Sequence, residues 1–139
     1  MKYITIKHRM FRHILTAPFI FGAVIPIAIA DLYIEIYHRI CFPFYRMPYV
    51  KRKNYIKIDR HKLSYLKVGQ KINCVYCGYA NGVINYWRAI VGETEKYFCA
   101  IQHKKNPDFI SPEHHKEFLD YSDKETFVKE YASKRTPFL

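Results

Sequence analysis

Asn73-Cys74-Val75-Tyr76-Cys77-Gly78-Tyr79-Ala80-Asn81-Gly82 is the stretch on which the fold turns. It sets two thiols three residues apart, adds two glycines, and ends on Asn-Gly. Read by local rules, the pair sits in a tight turn. Asn81-Gly82 then marks the turn from which a helix starts, with Asn81 as its cap. From Gly82 to Phe98 the apolar positions Val83, Ile84, Trp87, Ile90, Val91 and Phe98 fall at helical spacing, and that face is expected to be buried.

Cys99 and His103 follow that helix. Three thiols and an imidazole suit a closed tetrahedral site, and the expected metal set is Cys74, Cys77, Cys99 and His103. The ligand chemistry points to zinc, with iron as the alternative if the site is redox-active. Geometry sets a condition on this reading. A straight helix from Gly82 to Phe98 is about 24 Å long. The chain from Cys77 to Gly82 reaches back only about 16 Å. One metal can join the two halves only if the helix breaks near Gly92. A continuous helix leaves two separate thiol sites, a metal between molecules, or a redox dithiol whose reactivity comes from lying just before a helix start.

Working towards the N-terminus, residues 46–71 read as a basic linker. Val50–His61 is expected to be a loop leading to a short strand, and Asp59 to cap a helix over Leu63–Leu66. Before it, Ile14–Ala30 is a run of 17 residues without a charge. A transmembrane helix needs about 17–25. Ala28-Ile29-Ala30 fits a signal-peptidase pattern, but we read the segment as retained. Pro18 and Pro26 with Gly22 between them break helical continuity. The expectation is a membrane-embedded broken helix or a re-entrant hairpin. Helix should continue through Asp31–His38. Tyr33, Tyr37, Phe42, Phe44, Tyr45 and Tyr49 resemble an interfacial aromatic belt.

Charge supports the same placement. Residues 1–71 hold fourteen Lys/Arg and three Asp/Glu, and residues 72–139 hold nine of each, so the whole surplus of +11 flanks the apolar run. That favours a bilayer with anionic headgroups over nucleic acid as partner. Basic residues on both sides point both flanks, and the rest of the chain, to the cytoplasmic side. The four cysteines are then expected to be reduced or metal-bound.

Towards the C-terminus, Ser111-Pro112-Glu113 starts a helix to about Tyr121, and Ser122-Asp123-Lys124-Glu125 opens a second to about Ser133. The organisation read from the chain is therefore a membrane-anchoring segment (1–45), a basic linker (46–71), a helical cysteine-containing domain (72–133) and a tail (134–139). The fold class is mostly α, with a small metal-stapled domain after the membrane segment. His8, His13, His38, His61, His114 and His115 make no ligand pattern by spacing. Asp59-Arg60-His61 is too small a set for catalysis. With no phosphate loop, nucleophile elbow or HExxH present, the reading is non-enzymatic.

Asn73–Gly82, Asp59-Arg60-His61-Lys62-Leu63-Ser64-Tyr65-Leu66, and Thr94–Cys99 with His103 resemble an uncharacterised family of small bacterial membrane-associated proteins. Ala17–Ile20, Asp31–Tyr33 and Cys41–Pro43 match as well, so the resemblance covers roughly residues 14–104. Ala100 departs from a proline after the third cysteine. The resemblance supports the membrane and cysteine readings and supplies no reaction; the expected location is the bacterial inner membrane. The resulting expectation is a membrane-anchored zinc protein docking onto a larger membrane complex. A rubredoxin-like iron protein or dithiol redox protein at the same cysteines is the alternative.

Overall fold

The computed structural model describes residues 7–129. It is mostly helical, and no strand is present among the described residues. The chain falls into two compact units, one ending at Ile90 and the other beginning at Val91. That division lies inside the region 72–133 read above as one domain.

In the first unit, α1 (Arg9–Gly22) and α2 (Val24–Phe44) are separated only by Ala23. Ala23 has φ −61° and ψ −17°, which is right-handed helical backbone, so the chain does not reverse there. This corrects the hairpin reading in favour of the interrupted helix. Pro26 is tolerated because it lies in the first turn of α2, where its missing N–H costs no helical bond. Met10–Phe44 is thus one 35-residue helical path, apolar and long enough to cross a membrane. At 1.5 Å per residue it rises about 52 Å, against about 30 Å for a bilayer core. Its side chains at Phe11, Ile14, Phe19, Ile25, Ile29 and Ile36 are exposed.

Helix α3 runs from Val68 to Phe98, 31 residues without interruption. Cys74 through Gly82 therefore lie inside a helix and form no turn. Asn81 caps nothing, and its side chain donates to the Cys77 carbonyl at 2.9 Å. The glycines serve another purpose. A Cβ on Gly82 would stand 2.9 Å from Ile56 Cα and 3.0 Å from Tyr55 O, and one on Gly78 would stand 3.1 Å from Lys57 O. Glycines four residues apart on one helix face open a track in which the backbone of residues 55–58 lies. The segment 45–67 is held there as irregular chain with two 3-10 turns, Arg52–Asn54 and Arg60–Lys62, in place of the expected strand. Asp59 makes no cap bond and pairs with Lys57 at 3.4 Å.

Helix α2 meets α3 through a polar face. Asp31, Glu35, His38 and Phe42 recur at helical spacing along α2, and Asp31, His38 and Phe42 are buried. Arg52 forks onto Asp31 with two bonds of 2.6 Å, and Tyr79 donates to the same carboxylate at 3.0 Å. The Val50 N–H donates to His38 Nε2 at 3.2 Å, which leaves the proton of the neutral ring on Nδ1. Nδ1–H then donates to the Tyr86 hydroxyl, and that hydroxyl donates to Glu35, each at 3.0 Å. The polar side chains of Asp31, Glu35, His38 and Tyr86 all find partners in this network, which is what allows them to be buried. Because the partners rise in order on both helices, α2 and α3 run in the same direction, with residues 45–67 returning between them.

The expected apolar face of α3 is partly displaced. Val83 and Ile90 are fully buried, but Ile84 and Val91 are about half exposed, and Ala80 and Tyr86 take their places. Of the aromatic belt, Phe42 is fully buried, whereas Tyr33 and Phe44 are exposed.

In the second unit the C-terminal residues of α3 lead to an extended segment joined to residue 119 by a single parallel bridge, Ile101 to Leu119. Gln102 N–H donates to Leu119 O at 2.8 Å, and Leu119 N–H to Ala100 O at 2.9 Å. The expected helix from Ser111 shortens to a 3-10 turn, Glu113–Glu117. The next helix, α4 (Lys124–Phe127), is capped by Asp123, which accepts from Thr126 N–H. That cap lies one residue later than the capping box places it. Its expected extension beyond residue 129 falls outside the described residues, as does the tail.

Candidate metal centre

The unbroken course of α3 through Gly92 removes the bend that the four-ligand thiolate site requires. Cys74 and Cys77 sit half-buried in the body of α3, and Cys99 follows its last residue and is exposed. The helix break near Gly92 that this set needs is absent, and among the described residues Cys74, Cys77, Cys99 and His103 do not form a cluster of ligand atoms. The dithiol reading loses its physical basis too. Cys74 lies beyond the first turn of α3, where the field of the helix end has faded. All four cysteines are free thiols.

A different set does converge. Glu95, His103 and His115 each bring a ligand atom within 4.8 Å of the others, the one such His/Cys/Asp/Glu group among the described residues. Glu95 is on the last turn of α3. His103 lies four residues after Cys99, beyond the bridge at Ile101. His115 comes from the 3-10 turn Glu113–Glu117, which presents two adjacent histidines to Glu95. His114 Nε2 lies 2.8 Å from Glu95 Oε2, and His115 Nε2 lies 3.0 Å from Oε1. Gly92 makes room for this, since its absent side chain is where the His114 ring passes, 3.3 Å from an ideal Cβ. The Gly92 position thus has a role, although it is not a helix break.

Burial alone raises the Glu95 carboxyl, but the bonds to His114 and His115 outweigh it and hold the group below the ordinary glutamate range. Glu95 is a carboxylate at neutral pH, so both imidazoles present Nε2–H to it. His115 is 2% exposed, stacked on Phe118 at 4.9 Å, and its Nδ1 is buried without a hydrogen-bond partner. An unmet buried nitrogen costs about 1–3 kcal/mol unless something binds it. The His103 ring lies 5.4 Å from that of His115 and is exposed. It is the member of the set with room to move towards a bound ion. Neighbouring ligand atoms on a tetrahedral zinc are about 3.3 Å apart, so closure needs a contraction of at most about 1.5 Å.

His103 is the one residue shared with the set read from the sequence. His115 and Glu95 were missed because they lie 12 residues after and 8 residues before His103, intervals that match no ligand motif. The adjacent pair His114-His115 was the available signal, and it has meaning only once the 3-10 turn aims it at α3. No known protein family, curated protein or solved structure matches this chain.

Proposed function

We propose that this chain is a membrane-attached, non-enzymatic accessory protein that binds a divalent transition metal at Glu95, His103 and His115. The observation carrying the reading is the convergence of one carboxylate and two imidazoles within 4.8 Å. Two imidazoles and a carboxylate suit zinc, and suit iron less selectively. The bond between His114 and Glu95 supplies the outer-shell hydrogen bond that orients a ligating carboxylate.

Membrane attachment is supported by the 35-residue apolar helix and its exposed side chains. Location at a bacterial inner membrane, with the second unit on the cytoplasmic side, rests on the basic residues flanking the apolar run and on the family resemblance. Docking onto a larger membrane complex rests on the apolar side chains of α3 left exposed at Val91 and Phe98.

The test is metal content and zinc titration of the full chain purified in detergent. One zinc per chain, lost in His115→Ala and His103→Ala and kept in a Cys74→Ser/Cys77→Ser double variant, is the expected pattern. Loss in the cysteine variant with retention in His115→Ala returns the metal to the thiols, as a site between molecules. Absence of stoichiometric metal from all forms refutes the proposal.

A further inference from the structure

A cavity lies in the first unit and has no part in the metal reading. Its volume is about 590 Å³, within the range of small-molecule sites. It opens between the α1–α2 junction, through Phe21 and Val24, and the first turns of α3, through Ile72, Val75 and Tyr76. The T-shaped contact of Phe21 with Tyr76, at 5.5 Å between centroids, closes one side. Lys71 is the one charged residue in the lining, and among the described residues no acid pairs with it. The apolar rim is open to the surroundings, with Val68 75% and Ile72 55% exposed.

We propose that this groove holds one acyl chain of an anionic phospholipid, with the Lys71 ammonium meeting the headgroup phosphate. Three features select this occupant. The groove is continuous with the apolar helix Met10–Phe44, so it opens onto the hydrocarbon in which that helix would lie. Its walls are aliphatic and aromatic, which suits a methylene chain and offers a polar ligand no bonds. The single unpaired cation stands on the first turn of α3 beyond Lys67, where a phosphate can remain hydrated while its chain is buried. A neighbouring protein helix would leave Lys71 without a counter-ion in an apolar contact, which is costly. The inference uses membrane attachment and is independent of the metal.

Native mass spectrometry of the detergent-purified full chain tests it, with phosphatidylglycerol and phosphatidylcholine of identical acyl chains added in turn. The expected result is a single phosphatidylglycerol adduct, with phosphatidylcholine binding more weakly. Lys71→Ala should weaken phosphatidylglycerol about fivefold, the factor carried by one interfacial cation, and remove the preference between the lipids. Lys71→Arg should keep the preference. Val75→Trp, which fills the groove from a position 40% exposed, should reduce the adduct to below a tenth at unchanged helical content. Equal binding of both lipids by the natural chain, adducts unaffected by Val75→Trp, or a second copy of the chain in place of lipid would each overturn the proposal. Membrane fractionation of the same variants separates this outcome from a failure of membrane attachment itself, since Val75→Trp should still sediment with membranes.

Discussion

Replacing Gly82 by alanine is the most direct test of how this molecule is built. In an isolated helix the change is favourable, because glycine costs about 1 kcal/mol relative to alanine. Here the new methyl would stand 2.9 Å from Ile56 Cα and 3.0 Å from Tyr55 O, both backbone atoms of the returning segment. Backbone cannot rotate out of the way as a side chain can, so residues 55–58 must lift off α3. Overpacking of this kind costs about 1–3 kcal/mol and works against the propensity gain. The net expectation is a loss of about 1 kcal/mol, or roughly 5 °C in apparent melting temperature. Gly69→Ala is the internal control, since nothing lies within 4 Å of its Cβ position and the same chemical change should be neutral or stabilising. Thermal unfolding of both variants in one detergent, followed by circular dichroism at 222 nm, makes the comparison. If Gly82→Ala proves as stable as Gly69→Ala, the returning segment does not lie in the glycine track, and the account of Asn73–Gly82 given above is wrong.

Three further outcomes follow from the same packing. Asp31→Asn should destabilise the first unit by about 2 kcal/mol, less than for a fully buried pair because the Arg52 side chain is 37% exposed and can rehydrate. Arg52→Ala should add little to Asp31→Asn in a double-mutant cycle by denaturant unfolding, and strict additivity would show that the two side chains do not act together. Burial and the hydrogen bond to Glu35 push the Tyr86 phenol well above its ordinary value of 10. A raised acid is stabilising below the unfolded-state value and loses that contribution as pH rises above it, so stability should fall above about pH 10. Tyr86→Phe should flatten that slope and cost about 1–2 kcal/mol at pH 7, because it leaves the buried His38 Nδ1–H without its acceptor; an unchanged alkaline slope would remove Tyr86 from the network. Finally, Cys74→Ser/Cys77→Ser should leave helical content and the zinc stoichiometry of the chain unchanged, measured by circular dichroism and elemental analysis.

Much of the first unit was legible from the chain. Ile14–Ala30 announces an apolar helix by composition alone, and its continuation through Asp31–His38 follows because nothing there breaks it. Helical periodicity after Gly82 likewise predicts helix, because burial on one side is a local repeat of 3.6 residues. The errors share one cause. Asn81-Gly82 and the glycine after Cys77 look like turn chemistry to any rule that sees neighbours in sequence. They are helical because residues 55–58 need the space that a Cβ would take. Tyr86 is buried although polar because Glu35 and His38, 51 and 48 residues earlier, meet its hydroxyl.

The metal question divides the same way. By itself the sequence determined that thiols and imidazoles are present in number, that a long apolar helix precedes them, and that the positive charge gathers around that helix. It could state the condition for one shared thiolate site, a break at Gly92, because that condition is only chain length and helical rise. Whether the break exists was decided by tertiary structure. Gly92 stays helical and makes room for His114, and the turn carrying His114 and His115 folds onto Glu95. Ligand sets are defined by distance in space, and residues 95, 103 and 115 are joined by a bridge and a 3-10 turn that no local pattern encodes. Asn73–Gly82, which looks like half of a metal site when read alone, is the track on which the first unit packs.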